Sequence, residues 1–287
     1  MAKHDHDSHM FEDKPSQKVF MFTLLMTIFC FISIYFVVLE DPRSHPDHYP
    51  EYYYEFWLAV YFHVWSFTMY NLLLTAFKSP GKTTKNQINP NEFCKRCNID
   101  RIERSHHCTA CKQCTLRMDH HCRWTNTCVG LRTHKNFLWY IFYTGFGGST
   151  HVFLCITYLL GPGPSTLSNI LVKGLFYMHA AIVGFFSYFC LTLLVFQVKL
   201  ISSNISSLEY FKEMGVNFGF ILCKVYPMES RYDQGIIPNF LQVIGDDVLF
   251  WLFPTEARNY KFETGYPKPP DVSSEDILAH GEFLFED

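Results

Sequence analysis

Residues 19–39 read Val-Phe-Met-Phe-Thr-Leu-Leu-Met-Thr-Ile-Phe-Cys-Phe-Ile-Ser-Ile-Tyr-Phe-Val-Val-Leu, without one charged side chain. A helix of that length crosses a hydrocarbon layer of about 30 Å. Three further stretches read the same way, at 56–77, 137–160 and 175–198, each rich in Phe, Leu, Tyr and Val, with Trp or Tyr near several ends as at a membrane interface. The expected fold class is therefore an all-α polytopic membrane protein with four transmembrane helices. Composition alone does not decide this, because 287 residues with 48% hydrophobic and 18% charged side chains also suit a large soluble domain. Ahead of the first span lies a His- and Asp-rich segment, 1–18, not the basic stretch, short apolar core and small-residue cleavage site of a secretory leader. An uncleaved anchor is expected, with His4, His6 and His9 in a solvated, mobile terminus.

Orientation follows from positive charge, since short basic loops stay on the cytosolic side. Twelve of the 24 Lys and Arg residues fall between positions 78 and 135, whereas the loop 40–55 has Arg43 alone among several acids and 161–169 carries no charge. The loops 40–55 and 161–174 are expected to be lumenal. The N-terminal segment, the central segment 78–136 and the C-terminal region 199–287 are expected in the cytosol. A net charge of −3 gives nucleic-acid binding no support.

Seven of the eleven cysteines lie between positions 94 and 128, while Cys30, Cys155 and Cys190 fall inside expected spans and Cys223 in the C-terminal region. Seven thiols cannot all pair, and the cytosol keeps thiols reduced, so the cluster points to metal binding or thiol chemistry. Its spacing is Cys94-x2-Cys97, His107-Cys108-x2-Cys111-x2-Cys114, His120-His121-Cys122 and Cys128. Zinc, with four tetrahedral sulfur and nitrogen ligands, suits such a set. Two closed sites take eight ligands, six cysteines and two histidines, and leave one thiol over. Spacing does not say which. Cys122 follows Asp119, His120 and His121 and precedes Arg123, a setting in which an imidazole can take the thiol proton, a carboxylate can orient the imidazole, and nearby positive charge favours thiolate. A segment this short buries little apolar core, so the metals would staple it; closed coordination argues against metal-assisted hydrolysis.

These residues resemble the DHHC-type protein S-acyltransferases, or palmitoyltransferases, named for the run seen here as Asp119-His120-His121-Cys122. The match takes in Cys94-x2-Cys97, Arg104-x2-His107-Cys108-x2-Cys111-x2-Cys114, Met118, Trp124, Asn126, Cys128, Val129 and Gly130, placed between the second and third spans. The resemblance implies one structural zinc on Cys94, Cys97, His107 and Cys114 and a second on Cys108, Cys111, His121 and Cys128. It implies Cys122 as nucleophile, His120 as its base and Asp119 as the group that orients His120. Acyl-coenzyme A, such as palmitoyl-coenzyme A, is then the co-substrate, and the reaction a ping-pong transfer through Cys122 to a cysteine of a membrane-associated substrate protein. Membrane lipid surrounds the spans, which can shelter the acyl chain at about 0.8 kcal/mol per buried methylene. Ser206-Ser207-Leu208-Glu209 resembles the family's Thr-Thr-x-Glu element, with Ser207 supporting Asp119. Tyr232 to Gly235 with Asn239-Phe240 resembles its C-terminal element, with Asn239 structural. The family's commonest address is the endoplasmic reticulum or Golgi.

The chain departs from the family at Ser79, usually Asp; at Arg123, usually Pro; and at Thr127, usually Asn. Gly145, Gly147 and Gly148 are expected to allow close helix packing, and His151 and His179 to hydrogen-bond between helices. Arg104 and Lys112 are basic candidates for coenzyme A phosphates or anionic lipid. Residues 243–253 read as an interfacial amphipathic segment and the acidic end of the chain as a mobile tail. The alternative function is a zinc-stapled membrane scaffold or transport-linked protein with little or no acyltransferase activity. Few ionisable residues lie in the spans, which disfavours a transporter.

Overall fold

Uninterrupted apolar runs become helices, and breaks in apolarity end them. A computed structural model describes residues 17–35, 50, 52–83, 92–160, 170–214, 230–246 and 251. The first histidine-rich segment, the loop 161–169, Cys223 and the acidic tail lie outside the described residues. Among the described residues there are four long helices: α1 (Gln17–Ile34), α2 (Tyr53–Phe77), α3 (His134–Leu160) and α4 (Ile170–Ser202). Two shorter ones follow, α5 (Ser207–Met214) and α6 (Ile236–Ile244). Helix α2 ends where Lys78 turns extended, its N–H still bonded to the Leu74 carbonyl, two residues before Pro80, which could not continue it.

Among the described residues, Gln17–Ile34 and Tyr177–Ser202 are long and apolar enough to cross a membrane. Helices α2 and α3 are as long, about 37 and 40 Å at 1.5 Å per residue, but mix Tyr, Trp, His, Asn and Thr into their sequences. All four carry large apolar side chains outward, among them Phe22, Phe29, Phe62, Phe146, Phe153 and Phe185.

The expected close packing at the glycines is observed. A Cβ on Gly145 would lie 2.7 Å from Leu191, one on Gly148 2.7 Å from Ser187 and one on Gly147 2.8 Å from Val64, so α3 nests against both α4 and α2. Ser187 seals the first contact by donating its Oγ hydrogen to the Gly145 carbonyl at 2.6 Å. Further along, His151 Nδ1 meets the Tyr61 hydroxyl at 3.4 Å and His179 Nε2 meets the Ser33 hydroxyl at 3.0 Å. These histidines join helices, as expected of polar groups within an apolar bundle.

One element of the expected fold class is corrected: the chain is not all helix. Between α2 and α3 lie three two-stranded antiparallel hairpins, β1 (Glu92–Cys94) with β2 (Ile99–Arg101), β3 (His106–Cys108) with β4 (Gln113–Thr115), and β5 (His120–Cys122) with β6 (Thr127–Val129). Strands of three residues have no periodic signal to read; it is the tight turn between them that forms each pair. The linker from α2 is laid on this module through backbone bonds, Leu116 N–H to the Gly81 carbonyl at 3.1 Å and Arg132 N–H to the Pro80 carbonyl at 3.3 Å. Gly81 (φ 97°) takes the left-handed backbone that the turn needs.

Candidate active site and metal centres

The three hairpins repeat in register, with Glu92↔Arg101, His106↔Thr115 and His120↔Val129 as their outer pairs. In each turn the last residue is left-handed: Asn98 (φ 52°), Lys112 (φ 53°) and Asn126 (φ 54°). The first strand of each ends in a cysteine, Cys94, Cys108 and Cys122, and three residues later stand Cys97, Cys111 and Thr125.

Each metal cluster is shared between neighbouring hairpins. The first takes Cys94 and Cys97 from one turn and the cross-strand pair His107 and Cys114 from the next hairpin; the second takes Cys108 and Cys111 with the cross-strand pair His121 and Cys128. Within each set the donor atoms lie within 4.8 Å of one another. His107 Nδ1 stands 3.7, 3.2 and 3.9 Å from the sulfurs of Cys94, Cys97 and Cys114. His121 Nδ1 stands 3.6, 3.4 and 3.9 Å from those of Cys108, Cys111 and Cys128. A tetrahedral zinc with its usual bond lengths has sulfur–nitrogen edges of about 3.5 Å, so both donor sets fit structural zinc in number, chemistry and spacing. Bound there, the ion holds consecutive hairpins together.

Cys122 belongs to neither cluster. The third turn has no following hairpin to supply a His/Cys pair and faces the helices instead, so Cys122 packs with Val129, Phe137, Ile141 and Leu193. Its sulfur hydrogen-bonds His120, and Thr125 supports it from the turn. The His120 ring rests edge-on against Phe137, centroids 4.9 Å apart, and its Nδ1 donates to Asp119 Oδ2 at 2.8 Å. Burial alone would raise the Cys122 thiol, but the hydrogen bond and charge of His120 outweigh it and lower the thiol from its ordinary value. Burial would lower His120; Asp119 and Cys122 raise it to about 9. Burial would raise Asp119, yet His120 and the Ser207 N–H hold its carboxyl well below the usual carboxylate range.

The start of α5 explains how Asp119 is held. Ser206 Oγ accepts the Glu209 N–H at 3.2 Å while Glu209 Oε2 accepts the Ser206 N–H at 2.8 Å, a reciprocal cap that fixes the helix N-terminus. The next N–H, that of Ser207, donates to Asp119 Oδ1 at 2.8 Å, and its hydroxyl donates to Oδ2 at 2.8 Å. A carboxylate is thus set at a positive helix end. Asn239, on α6, donates to the Ser202 carbonyl at 2.8 Å and accepts the Gln234 N–H at 3.0 Å, which fastens the C-terminal element to the end of α4.

Arg104 is not a phosphate ligand in waiting. Buried, it donates through Nε and Nη2 to both Glu209 oxygens at 2.7 Å, and through Nη1 and Nη2 to the side-chain and backbone oxygens of Asn204 at 2.9 Å, with its guanidinium 4.3 Å over the Tyr232 ring. A bidentate partner, distant in sequence, claims the charge that looked free. Lys112 stays exposed, as does Arg123. Ser79 Oγ accepts the Gly81 N–H at 3.4 Å, so it holds the turn in its own way. Gln197 escaped notice in the sequence, though a polar side chain at the end of an apolar span was the signal: its Nε2 donates to Asp119 Oδ2 and to Ser207 Oγ, both at 3.0 Å.

Fold and site define a class: long apolar helices that carry a metal-stapled cysteine module, with a Cys/His/Asp constellation outside the metal ligands. Residues 87–214 match the family model described as DHHC palmitoyltransferase. The chain is 34% identical over 166 residues to "Palmitoyltransferase ZDHHC15" of Rattus norvegicus, covering 56% of this chain and 46% of that protein. It is 30% identical over 197 residues to "Probable protein S-acyltransferase 14" of Arabidopsis thaliana (64% and 59%) and 28% identical over 250 residues to "Probable protein S-acyltransferase 12" of the same plant (84% and 73%). The chain thus spans about half the length of the first of these relatives.

Proposed function

We propose that this chain is a protein-cysteine S-acyltransferase that works through Cys122. One observation carries the reading: both metal clusters are complete without Cys122, while its sulfur is hydrogen-bonded to His120 and His120 to Asp119. The Cys122 thiolate attacks the thioester carbonyl carbon of a long-chain acyl-coenzyme A, palmitoyl-coenzyme A being the reference substrate. The carbon–sulfur bond to coenzyme A breaks, and His120 returns the proton to the leaving thiolate. A cysteine of a membrane-associated substrate protein then gives its proton to His120, attacks the acyl-Cys122 thioester and releases the Cys122 thiolate. Asp119 holds the His120 tautomer with Nδ1 protonated, leaving Nε2 for the proton in transit.

The four-span topology belongs to the same proposal. It is supported by the length of α1 to α4, by the apolar side chains that all four turn outward, and by the placement of Cys122 against α3 and α4, where an acyl chain can enter the bundle. Both termini and the hairpin module are then cytosolic, the loops after α1 and α3 lumenal, and the membrane that of the endoplasmic reticulum or Golgi. Zinc is the metal the two clusters hold in this reading, as scaffold.

The test is intact-protein mass spectrometry of purified protein after incubation with palmitoyl-coenzyme A, beside Cys122→Ser. A hydroxylamine-sensitive acyl adduct on the unmutated chain alone is expected. Its absence from protein that carries two zinc ions would overturn the reading in favour of a scaffold.

A further inference from the structure

Asp119 is fully buried and accepts three hydrogen bonds at Oδ2 alone, from His120, Ser207 and Gln197. The first two come from elements already implicated. The third comes from near the end of α4 and is itself held from behind. Gln197 Oε1 stands 3.1 Å from His134 Nε2, and His134 Nδ1 stands 3.2 Å from Arg117 Nη1. Arg117 donates in turn to Asn204 Oδ1 at 3.2 Å, the same oxygen that Arg104 reaches. His134, Gln197 and Asn204 are at most 1% exposed, and so is Arg117, so water does not decide how this chain of contacts is satisfied.

Only one arrangement of hydrogens satisfies it. A guanidinium can only donate, so His134 Nδ1 must be an acceptor and its proton must sit on Nε2. That proton needs the Gln197 carbonyl oxygen, which forces the Gln197 amide nitrogen toward Asp119 and Ser207. The Ser207 oxygen, accepting from Gln197, must then spend its own hydrogen on Asp119. Each step is fixed by the one before it, from an Arg that cannot lose its charge to a carboxylate that can only accept.

We propose that Arg117, His134 and Gln197 form a one-way hydrogen-bond relay whose function is to position Asp119, with Gln197 as the positioning residue that acts on it directly. The inference rests on the proposed acyltransfer through Cys122. Without the Gln197 donor, the Asp119 carboxylate is held by α5 and His120 only and can rotate about its last bond. The His120 imidazole then loses its fixed direction toward the Cys122 sulfur. None of the relay residues touches the reacting atoms, so the effect belongs to the maximal rate and not to acyl-coenzyme A binding.

The experiment measures the rate of Cys122 acylation by palmitoyl-coenzyme A in detergent-solubilised full-length protein across a concentration series, with zinc content determined on each sample. If the unmutated chain forms no adduct, the acyltransfer reading itself fails, an outcome distinct from failure of the relay alone. Gln197→Met keeps length and removes both polar ends; a tenfold or larger drop in maximal rate is expected, with the half-saturating concentration within twofold of the starting protein and two zinc ions retained. In an Asp119→Ala background the same change should cost less than twofold, because the residue it positions is gone. A full rate in Gln197→Met, or an equal loss with and without Asp119, would overturn the relay. Should Gln197→Met be recovered without its zinc, Gln197→Glu decides in its place: it keeps the acceptor for His134, lacks the donor for Asp119, and is expected to show the same loss.

Discussion

The second and third hairpins are built on the same register, yet the turn of one contributes to a metal-binding donor set and the turn of the other carries a cysteine outside both sets. In the second, the turn offers Cys108 and Cys111, and the following hairpin answers with His121 and Cys128. In the third, Cys122 occupies the corresponding place, Thr125 stands where the second sulfur would be, and the chain runs into α3 instead of another hairpin. Cys122, the nucleophile of the proposed reaction, is thus a knuckle position deprived of three of its four ligands. Retaining the turn keeps the sulfur in place, removing the ligands leaves it outside the metal sets, and the neighbours that replace them are a histidine and helix side chains.

The largest effect expected from breaking this comparison is loss of a true ligand. His121→Ala should empty the second cluster, lower zinc content from two ions to one or fewer, and destabilise the module by several kcal/mol, since structural metal binding is folding energy for so small a unit; metal analysis and thermal melting check it. Glu209 offers a pH-dependent version. Burial would raise its carboxyl, but the Arg104 guanidinium and the Ser206 N–H lower it from 4.5 to about 2. A depressed carboxylate stabilises the folded state above its unfolded value and loses that contribution as pH falls through the folded one. The α5 clamp is therefore expected to be fully present at pH 6 and to weaken between about pH 4.5 and 2, by roughly 3 kcal/mol in total. Glu209→Gln should remove that part of the acid sensitivity in melting curves.

A smaller effect is expected at the seam between the hairpins. A Cβ on Gly130 would lie 2.6 Å from Thr115 Cγ2 and 2.9 Å from the Leu116 carbonyl oxygen. Gly130→Ala should cost about 1–3 kcal/mol by overpacking, visible as a lower melting temperature with zinc content unchanged. The smallest effect is expected from Thr125→Cys, which restores the C-x2-C of the third turn. Without a fourth hairpin to supply His and Cys, zinc content should remain two per chain; a third tightly held ion would break the comparison.

Much of this was legible in the sequence because it rests on spacing. The apolar run at 19–39 and the paired cysteines are local patterns, and local patterns survive without coordinates. The partition of ligands was not, since each cluster borrows from two hairpins and only the resemblance to a known family supplied it. Arg104 reads as a free surface base until Glu209 and Asn204, about a hundred residues on, are seen to claim it. For Gln197 and His134 the sequence offers at most a polar residue near a helix end; that they form one network is a property of contacts between distant segments. Ser206-x-x-Glu209 stands between these cases, since a capping pattern is local but its carboxylate partner, Asp119, is not.

The central claim is that Cys122 stands outside the metal sites and free to react. Native mass spectrometry of the purified chain and of Cys122→Ser, each with palmitoyl-coenzyme A, reads zinc and acyl content in one measurement. The account predicts two zinc ions on both proteins and a single acyl group on the unmutated one alone. A Cys122→Ser protein that loses a zinc ion, or that still carries the acyl group, would contradict it.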